Sequence, residues 1–141
     1  MEIIQATKEH ISKISEINSV LDTEQYHFSS PDSIERFIEK GQYFIAVENG
    51  EILGAISIRP IDGSYQIFTI ATAKSNEGIG SALVEFAINK CKEDGIKKLW
   101  CWSLIRYDAK GFYESMGFEE EILLKKQWHN EDCYLFGKVI T

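Results

Sequence analysis

Apolar positions along the 141-residue chain follow two different periods, and the changes between them mark the elements. After a first strand at residues 2–6, Ile11, Ile14, Ile17 and Leu21 recur at helical spacing behind Thr7, a residue suited to cap a helix start. Ser30-Pro31 opens a second helix, because proline is tolerated at the first helical position and serine can cap the free amides. Ile34, Phe37 and Ile38 supply its buried face, and Gly41 stops it. The period then shortens to that of strands. Residues 43–47 and 52–58 flank Glu48-Asn49-Gly50-Glu51, and Asn-Gly between apolar runs is the strongest short hairpin signal. Asp62-Gly63 marks another turn before a third strand at 65–71, which completes an antiparallel meander.

Helical spacing returns at 78–94, where Ile79, Ala82, Leu83, Phe86 and Ala87 fit the i, i+3, i+4, i+7, i+8 template. Ser81, Glu85, Asn89 and Lys92 form the polar face, and Gly95 ends the helix. Residues 98–103, Lys-Leu-Trp-Cys-Trp-Ser, read as a buried strand, so strand, helix and strand make a βαβ crossover with parallel strands. A short helix at 108–116 stops at Gly117, and strands at 118–124 and 133–140 follow, joined by a turn at 129–132. The order β-α-α-β-β-β-α-β-α-β-β describes one α+β domain on a mixed sheet, with no repeat and no Gly/Ser/Pro linker.

Charge narrows the classes of partner. With 15 basic and 22 acidic residues the net charge is −7, which argues against a domain that grips nucleic acid or an anionic membrane through its overall field. The first residues lack the basic flank and long apolar stretch of a signal peptide, so a cytoplasmic location is expected. Cys91, Cys101 and Cys133 are an odd number at wide spacing and read as reduced, buried thiols. They and the scattered His10, His27 and His129 suggest no metal site.

Chemistry concentrates where the third strand gives way to the amphipathic helix. Gly78-Ile79-Gly80 sits at that junction, where the free amides of a first helical turn can converge on an anion. By itself it is either a phosphate cradle or a tight turn. It matches neither nucleotide-binding glycine pattern, since Lys and Ser/Thr do not follow in order and position 83 is Leu.

Thirty residues on, Ala109-Lys110-Gly111-Phe112-Tyr113-Glu114-Ser115-Met116-Gly117-Phe118 resembles the A-x-x-F-Y-E-x-x-G-F segment of the GNAT superfamily of acyl-CoA-dependent N-acyltransferases. The G-I-G-S-A-L run at this separation, with the same element order, extends the resemblance over nearly the whole chain. It implies a GNAT fold at 1–141: a central mixed, mostly antiparallel sheet of about seven strands flanked by four helices. Its implied activity is acetyl transfer from acetyl-CoA, without metal, to a primary amine by direct attack in a ternary complex. A non-catalytic acyl-CoA-binding or regulatory module on the same fold is the alternative, and an interaction domain in which G-I-G is only a turn is a third reading. The partners implied are a coenzyme A thioester and an amine, on a monomer or homodimer.

Site residues follow from the same resemblance. Ser75, Asn76, Glu77, Gly78, Ile79, Gly80 and Ser81 would hold the pyrophosphate of coenzyme A, with Ser75 standing where the family has Arg or Gln. Phe68 to Ile70 would pair with the pantetheine arm, and the Ile70 amide would face the thioester carbonyl as an oxyanion donor. Phe112 joins the cofactor contacts, and Tyr113 matches the tyrosine that protonates the departing thiolate. Arg106 replaces a family Asn. Gln66, Thr69 and Thr72 stand on the strand where many relatives carry a Glu base, which leaves Asp22, Glu24 and His27 as base candidates by region. Tyr26, Phe28, Trp100, Trp102 and Trp128 could line an acceptor pocket, with core packing the simpler account of Trp100 and Trp102.

Overall fold

The computed structural model describes residues 1–74 and 78–141; Ser75, Asn76 and Glu77, expected in the pyrophosphate loop, lie outside the described residues. Among the described residues seven strands and four α-helices follow in the order β1 (Glu2–Gln5), α1 (Ile11–Asn18), α2 (Pro31–Glu39), β2 (Tyr43–Glu48), β3 (Glu51–Ile61), β4 (Ser64–Thr72), α3 (Ile79–Asp94), β5 (Lys98–Leu104), α4 (Lys110–Ser115), β6 (Glu119–Trp128) and β7 (Glu131–Val139). Strand order in the sheet is β1-β2-β3-β4-β5-β7-β6. The β4–β5 pair is parallel, while β1–β2, β2–β3, β5–β7 and β6–β7 are antiparallel. This is the mixed, mostly antiparallel sheet expected from the sequence.

The turns follow their chemistry. Asn49 (φ 51°) with Gly50 (φ 78°) and Asp62 (φ 50°) with Gly63 (φ 79°) both take the left-handed conformation at two successive positions, the arrangement that matches strand twist in a two-residue hairpin. Helix starts are less regular. A 3₁₀ turn at Lys8–His10 separates Thr7 from α1, and a second at Ser19–Leu21 follows it, so the expected single helix is an α-helix between two tighter turns. His10 reaches back to accept the Thr7 N–H at 2.9 Å. Ser30 occupies the cap position of α2, but its side chain caps no amide.

Contacts group the chain into two compact units. The first comprises Met1–Arg59 and Phe68–Phe86. Its core gathers Ala6, Ile14, Ile34, Ile38, Tyr43, Ile45 and Ala55, with Ile11, Phe37, Val47 and Ile52 packed against them. Gly54 in β3 lets α3 come close: a Cβ there would lie 2.9 Å from Ile79 Cγ2, 3.1 Å from Leu83 Cδ1 and 3.1 Å from the Ala71 carbonyl oxygen.

The second unit comprises Pro60–Ile67 and Ala87–Thr141. The parallel pairing lies here, at Tyr65 opposite Leu99 and Gln66 opposite Trp100. Burial of Leu99, Cys101, Leu104, Tyr113, Phe118, Cys133 and Phe136 supplies its core. β6 runs to Trp128, past the expected end at 124, because its register against β7 slips between Leu124 and Trp128. There Lys126 (φ 58°) turns its N–H to Asp132 Oδ1 at 2.8 Å. His129 and Asn130 alone, at φ 44° and 69°, make the hairpin turn, so Glu131 and Asp132 belong to β7 and not to the turn expected at 129–132.

Candidate functional site

In the first unit β4 carries Phe68, Thr69 and Ile70 in succession, so Thr69 turns to the opposite face from its two neighbours. Thr69 is buried, while Phe68 and Ile70 are half-buried. Phe68 stacks on Phe37 at 5.0 Å between centroids and 18° between planes, meets Phe28 at 5.8 Å, and carries the Arg59 guanidinium 4.5 Å over its ring. Tyr26 packs on Phe28 at 4.6 Å. Two of the five aromatic residues proposed for an acceptor pocket thus sit with Phe68 in this unit.

Beneath these rings lies a small pocket. Its walls include Phe28, Phe37 and Phe68 and its buried end Tyr43, Ser57 and Thr69, with room for about one water molecule. The polar end is wired together. Asn18 Nδ2 donates to the Tyr43 hydroxyl at 2.6 Å and to the Phe28 carbonyl at 3.1 Å. Tyr43 Oη lies 2.9 Å from Thr69 Oγ1, which lies 2.6 Å from Ser57 Oγ, and the Thr69 N–H donates to Ser57 Oγ at 3.0 Å. Burial raises the Tyr43 phenol above its ordinary value, so it keeps its hydrogen at neutral pH. No sequence signal groups these residues, since each comes from a different element.

The loop between α1 and α2 also holds itself. Asp22 accepts the Ser29 N–H at 2.9 Å and the Ser29 hydroxyl at 2.5 Å. Thr23 Oγ1 accepts the N–H groups of Gln25 and Tyr26 at 3.2 and 3.0 Å. Asp22 is therefore committed to shaping the loop, while Glu24 and His27 are exposed.

At the other end of β4 the chain enters α3. Gly78 has φ +75°, a conformation that disfavours any side chain, and its carbonyl accepts the Ala82 N–H at 3.0 Å. The amides of Ile79, Gly80 and Ser81 precede this first closed turn and are the ones able to meet an anion. Ile79 is buried against β3, Gly80 is half-buried and Ser81 exposed, so the helix start is anchored on its apolar side and open on its polar side.

The second unit holds Phe112 and Tyr113 on α4. Tyr113 is 4% exposed, stacked on Phe136 at 5.1 Å and edge-on to Phe118 at 5.3 Å and Phe112 at 5.2 Å. Gly117, at φ +86°, ends α4 and lets the Phe118 N–H donate back to the Tyr113 carbonyl at 3.0 Å. The F-Y-x-x-x-G-F spacing is thus a helix end folded back on its own tyrosine. Burial holds the Tyr113 phenol well above its usual range, with Cys101 beside it as hydrogen-bond partner adding to the effect. The Cys101 thiol is pushed up to about 12, again by burial.

Three other expectations are resolved in this unit. Arg106 pairs with Glu131, Nε to Oε1 at 2.7 Å. Trp100 donates to Ser64 Oγ at 2.8 Å and meets Trp102 edge-on at 5.7 Å. Trp102 is 44% exposed, so core packing does not account for it. All three cysteines are free and buried.

Comparison with known proteins places this arrangement. The family model described as the Acetyltransferase (GNAT) domain matches residues 39–120. No curated protein matches the sequence. Among solved structures, Ard1 from Thermoplasma volcanium superposes with a TM-score of 0.88 at 18% identity, covering 99% of this chain and 97% of that one. The ribosomal-protein-S18-alanine N-acetyltransferase from Escherichia coli gives 0.83 at 19% identity, covering 99% and 94%. A chain of the NatC complex bound to Gag peptide and CoA gives 0.80 at 21% identity, covering all of both chains (100% each). No helix among the described residues is long and apolar enough to cross a membrane. With a family match that spans more than half its length and takes in both the α3 start and the Tyr113 segment, the chain belongs to the GNAT family of acetyltransferases.

Proposed function

We propose that this protein is an N-acetyltransferase that moves an acetyl group from acetyl-CoA to a primary amine, by direct attack with both substrates bound. The observation that carries the reading is the family match at 39–120, within which both motif segments fall. In this reading the amides of Ile79, Gly80 and Ser81, with Ser75, Asn76, Glu77 and Gly78 before them, hold the pyrophosphate. Phe68 to Ile70 pair with the pantetheine, and the Ile70 N–H stabilises the oxyanion that forms as the amine attacks the thioester carbon. The tetrahedral intermediate then breaks its C–S bond. Tyr113 gives its proton to the leaving thiolate, a role suited to a phenol that burial keeps protonated. Phe112, next to it on α4, contacts the cofactor.

One observation favours a second reading. β4 presents Gln66, Thr69 and Thr72 and no carboxylate where a base is common in relatives, and Asp22 is held by Ser29. A module that binds acyl-CoA without turning it over fits this equally. Release of free coenzyme A across a panel of amines decides: thiol release above the amine-free rate supports the transferase, and acetyl-CoA binding without release supports the module.

A further inference from the structure

The amide assigned to the thioester carbonyl belongs to Ile70, which is half-buried, so close packing does not fix its direction. The residue before it is held more firmly. Thr69 is 5% exposed and is tied at two of its own atoms. Its N–H donates to Ser57 Oγ at 3.0 Å, and its Oγ1 lies 2.6 Å from that same oxygen. From a second direction Tyr43 Oη meets Thr69 Oγ1 at 2.9 Å. With both its nitrogen and its hydroxyl fixed, Thr69 has little freedom to turn, and the peptide unit that follows it starts from a fixed Cα. That unit carries the Ile70 N–H. Successive N–H groups of a strand point to opposite edges, so with the Thr69 N–H turned to β3, that of Ile70 points away from β3.

The anchor is itself immobilised. Ser57 is fully buried at 0% exposure, and so is Asn18, whose Nδ2 donates to Tyr43 Oη at 2.6 Å and to the Phe28 carbonyl at 3.1 Å. Side chains from α1, β2 and β3 thus converge on one residue of β4. Hydrogen bonds shielded from water in this way are strengthened, and losing a partner there is costly. Apolar side chains of the same size would fill this space without the cost of burying hydroxyls, but they would give β4 no fixed direction. Direction is what an oxyanion donor requires, because the donor has to point at the charge before that charge forms.

We infer that Ser57 is a positioning residue for acetyl transfer: by holding the Thr69 N–H, while Tyr43 braces the Thr69 hydroxyl, it aims the Ile70 N–H at the oxyanion. The inference rests on the role given to Ile70 in the transferase reading above.

Two measurements on the full chain test it. The first is kinetic. In Ser57→Ala kcat should fall about 10-fold with both KM values changed by less than about twofold; the loss is smaller than the roughly 10²–10³-fold cost of deleting an oxyanion donor, because the N–H is misdirected and not removed. Thr69→Val keeps the N–H and loses the hydroxyl, so kcat should fall roughly 3-fold, as for one weakened hydrogen bond, and Thr69→Ser should recover most of that loss. An unchanged kcat in both Ser57→Ala and Thr69→Val, or a change in KM alone, overturns the inference. The second measurement needs no turnover. Acetyl-CoA isotope-labelled at its acetyl carbonyl is bound without amine, and the carbonyl stretch is read by infrared difference spectroscopy. It should move to lower frequency on binding, as a carbonyl does when it accepts a hydrogen bond, and should lose most of that shift in Ser57→Ala, or in Thr69→Val where Ser57→Ala does not fold. An equal shift in parent and variant, or none in the parent, overturns the inference. If no amine is acetylated, the transferase reading alone fails, and the infrared shift decides.

Discussion

Replacing Gly54 by alanine probes the contact that seats α3 against β3. The added Cβ would stand 2.9 Å from Ile79 Cγ2 and 3.1 Å from both Leu83 Cδ1 and the Ala71 carbonyl oxygen. Favourable carbon contacts lie at about 3.5–4.0 Å. The two methyl groups can yield by a few tenths of an ångström, but the Ala71 oxygen belongs to β4 and cannot move alone. Overpacking of this kind costs about 1–3 kcal/mol, offset by about 0.5–1 kcal/mol from the smaller entropy of an unfolded alanine. From the middle of each range the expected net loss is about 1.2 kcal/mol, a fall of about 0.6 M in the urea midpoint at a slope of about 2 kcal/mol per M. Because Ile79 is the first residue of α3, acetyl-CoA affinity should weaken as well. Leu83→Ala removes one of the clashing methyls, so the double variant should be more stable than the sum of its parts by roughly 0.5–1.5 kcal/mol. A Gly54→Ala protein as stable as the parent, with additive behaviour in the cycle, would refute the argument.

Tyr113→Phe keeps the ring on Phe136 and removes only the hydroxyl, so kcat should fall by about 10²-fold, at the low end of general-acid effects because a thiolate is a tolerable leaving group; an unchanged kcat where chemistry limits turnover returns Tyr113 to a packing role. Gly80→Val should weaken acetyl-CoA binding by calorimetry, and an unchanged affinity in a folded variant removes the loop from the site. Cys91, Cys101 and Cys133 are buried, so mass spectrometry after incubation with acetyl-CoA alone should show no stoichiometric acetyl adduct; a competent adduct argues for a covalent intermediate instead. Burial raises the Cys91 thiol from 9.0 to about 11 and Cys101 from 9.0 to about 12. The unfolded chain loses these protons first, so the stability they confer is intact below pH 9.0 and is lost as the pH rises through about 11 and 12. The urea midpoint should fall across that window, and Cys101→Ala should flatten the fall; an equal slope in the variant assigns it to other groups.

Local signals proved the readable part of this chain. Asn49-Gly50, Asp62-Gly63 and the Ile79–Ala87 periodicity each depend on neighbours within a few residues, and the structure has the turns and the helix there. Where tertiary contacts compete with local preference, reading along the chain fell short. Ser30 stands at a helix start without capping it, and β6 continues through a bulge that breaks the alternation at 125–127. The Tyr113 segment was legible because a helix, its glycine stop and the returning phenylalanine lie within one stretch. The cluster of Asn18, Tyr43, Ser57 and Thr69 was not, since it unites α1, β2, β3 and β4 and none of the four is unusual in its own surroundings. Gly54 likewise looks like any strand glycine until α3 is laid against it.

The irregular course of β6 bears on how the protein behaves in a crowd. A sheet ordered from β1 to β6 ends in two strands whose outer backbone groups are open to another chain. β1 offers only four residues, Glu2–Gln5. β6 is longer, but its register slips at Glu121 and again across 125–127, which leaves a regular run of three residues, 122–124, between charged shoulders of glutamate and lysine. A stacking strand needs a straighter and longer template than this to add and be added to in turn. The bulges thus act as a built-in stop to end-to-end growth, and the protein should stay dispersed at concentrations where a chain with the same strands, but a straight final one, would seed fibrils.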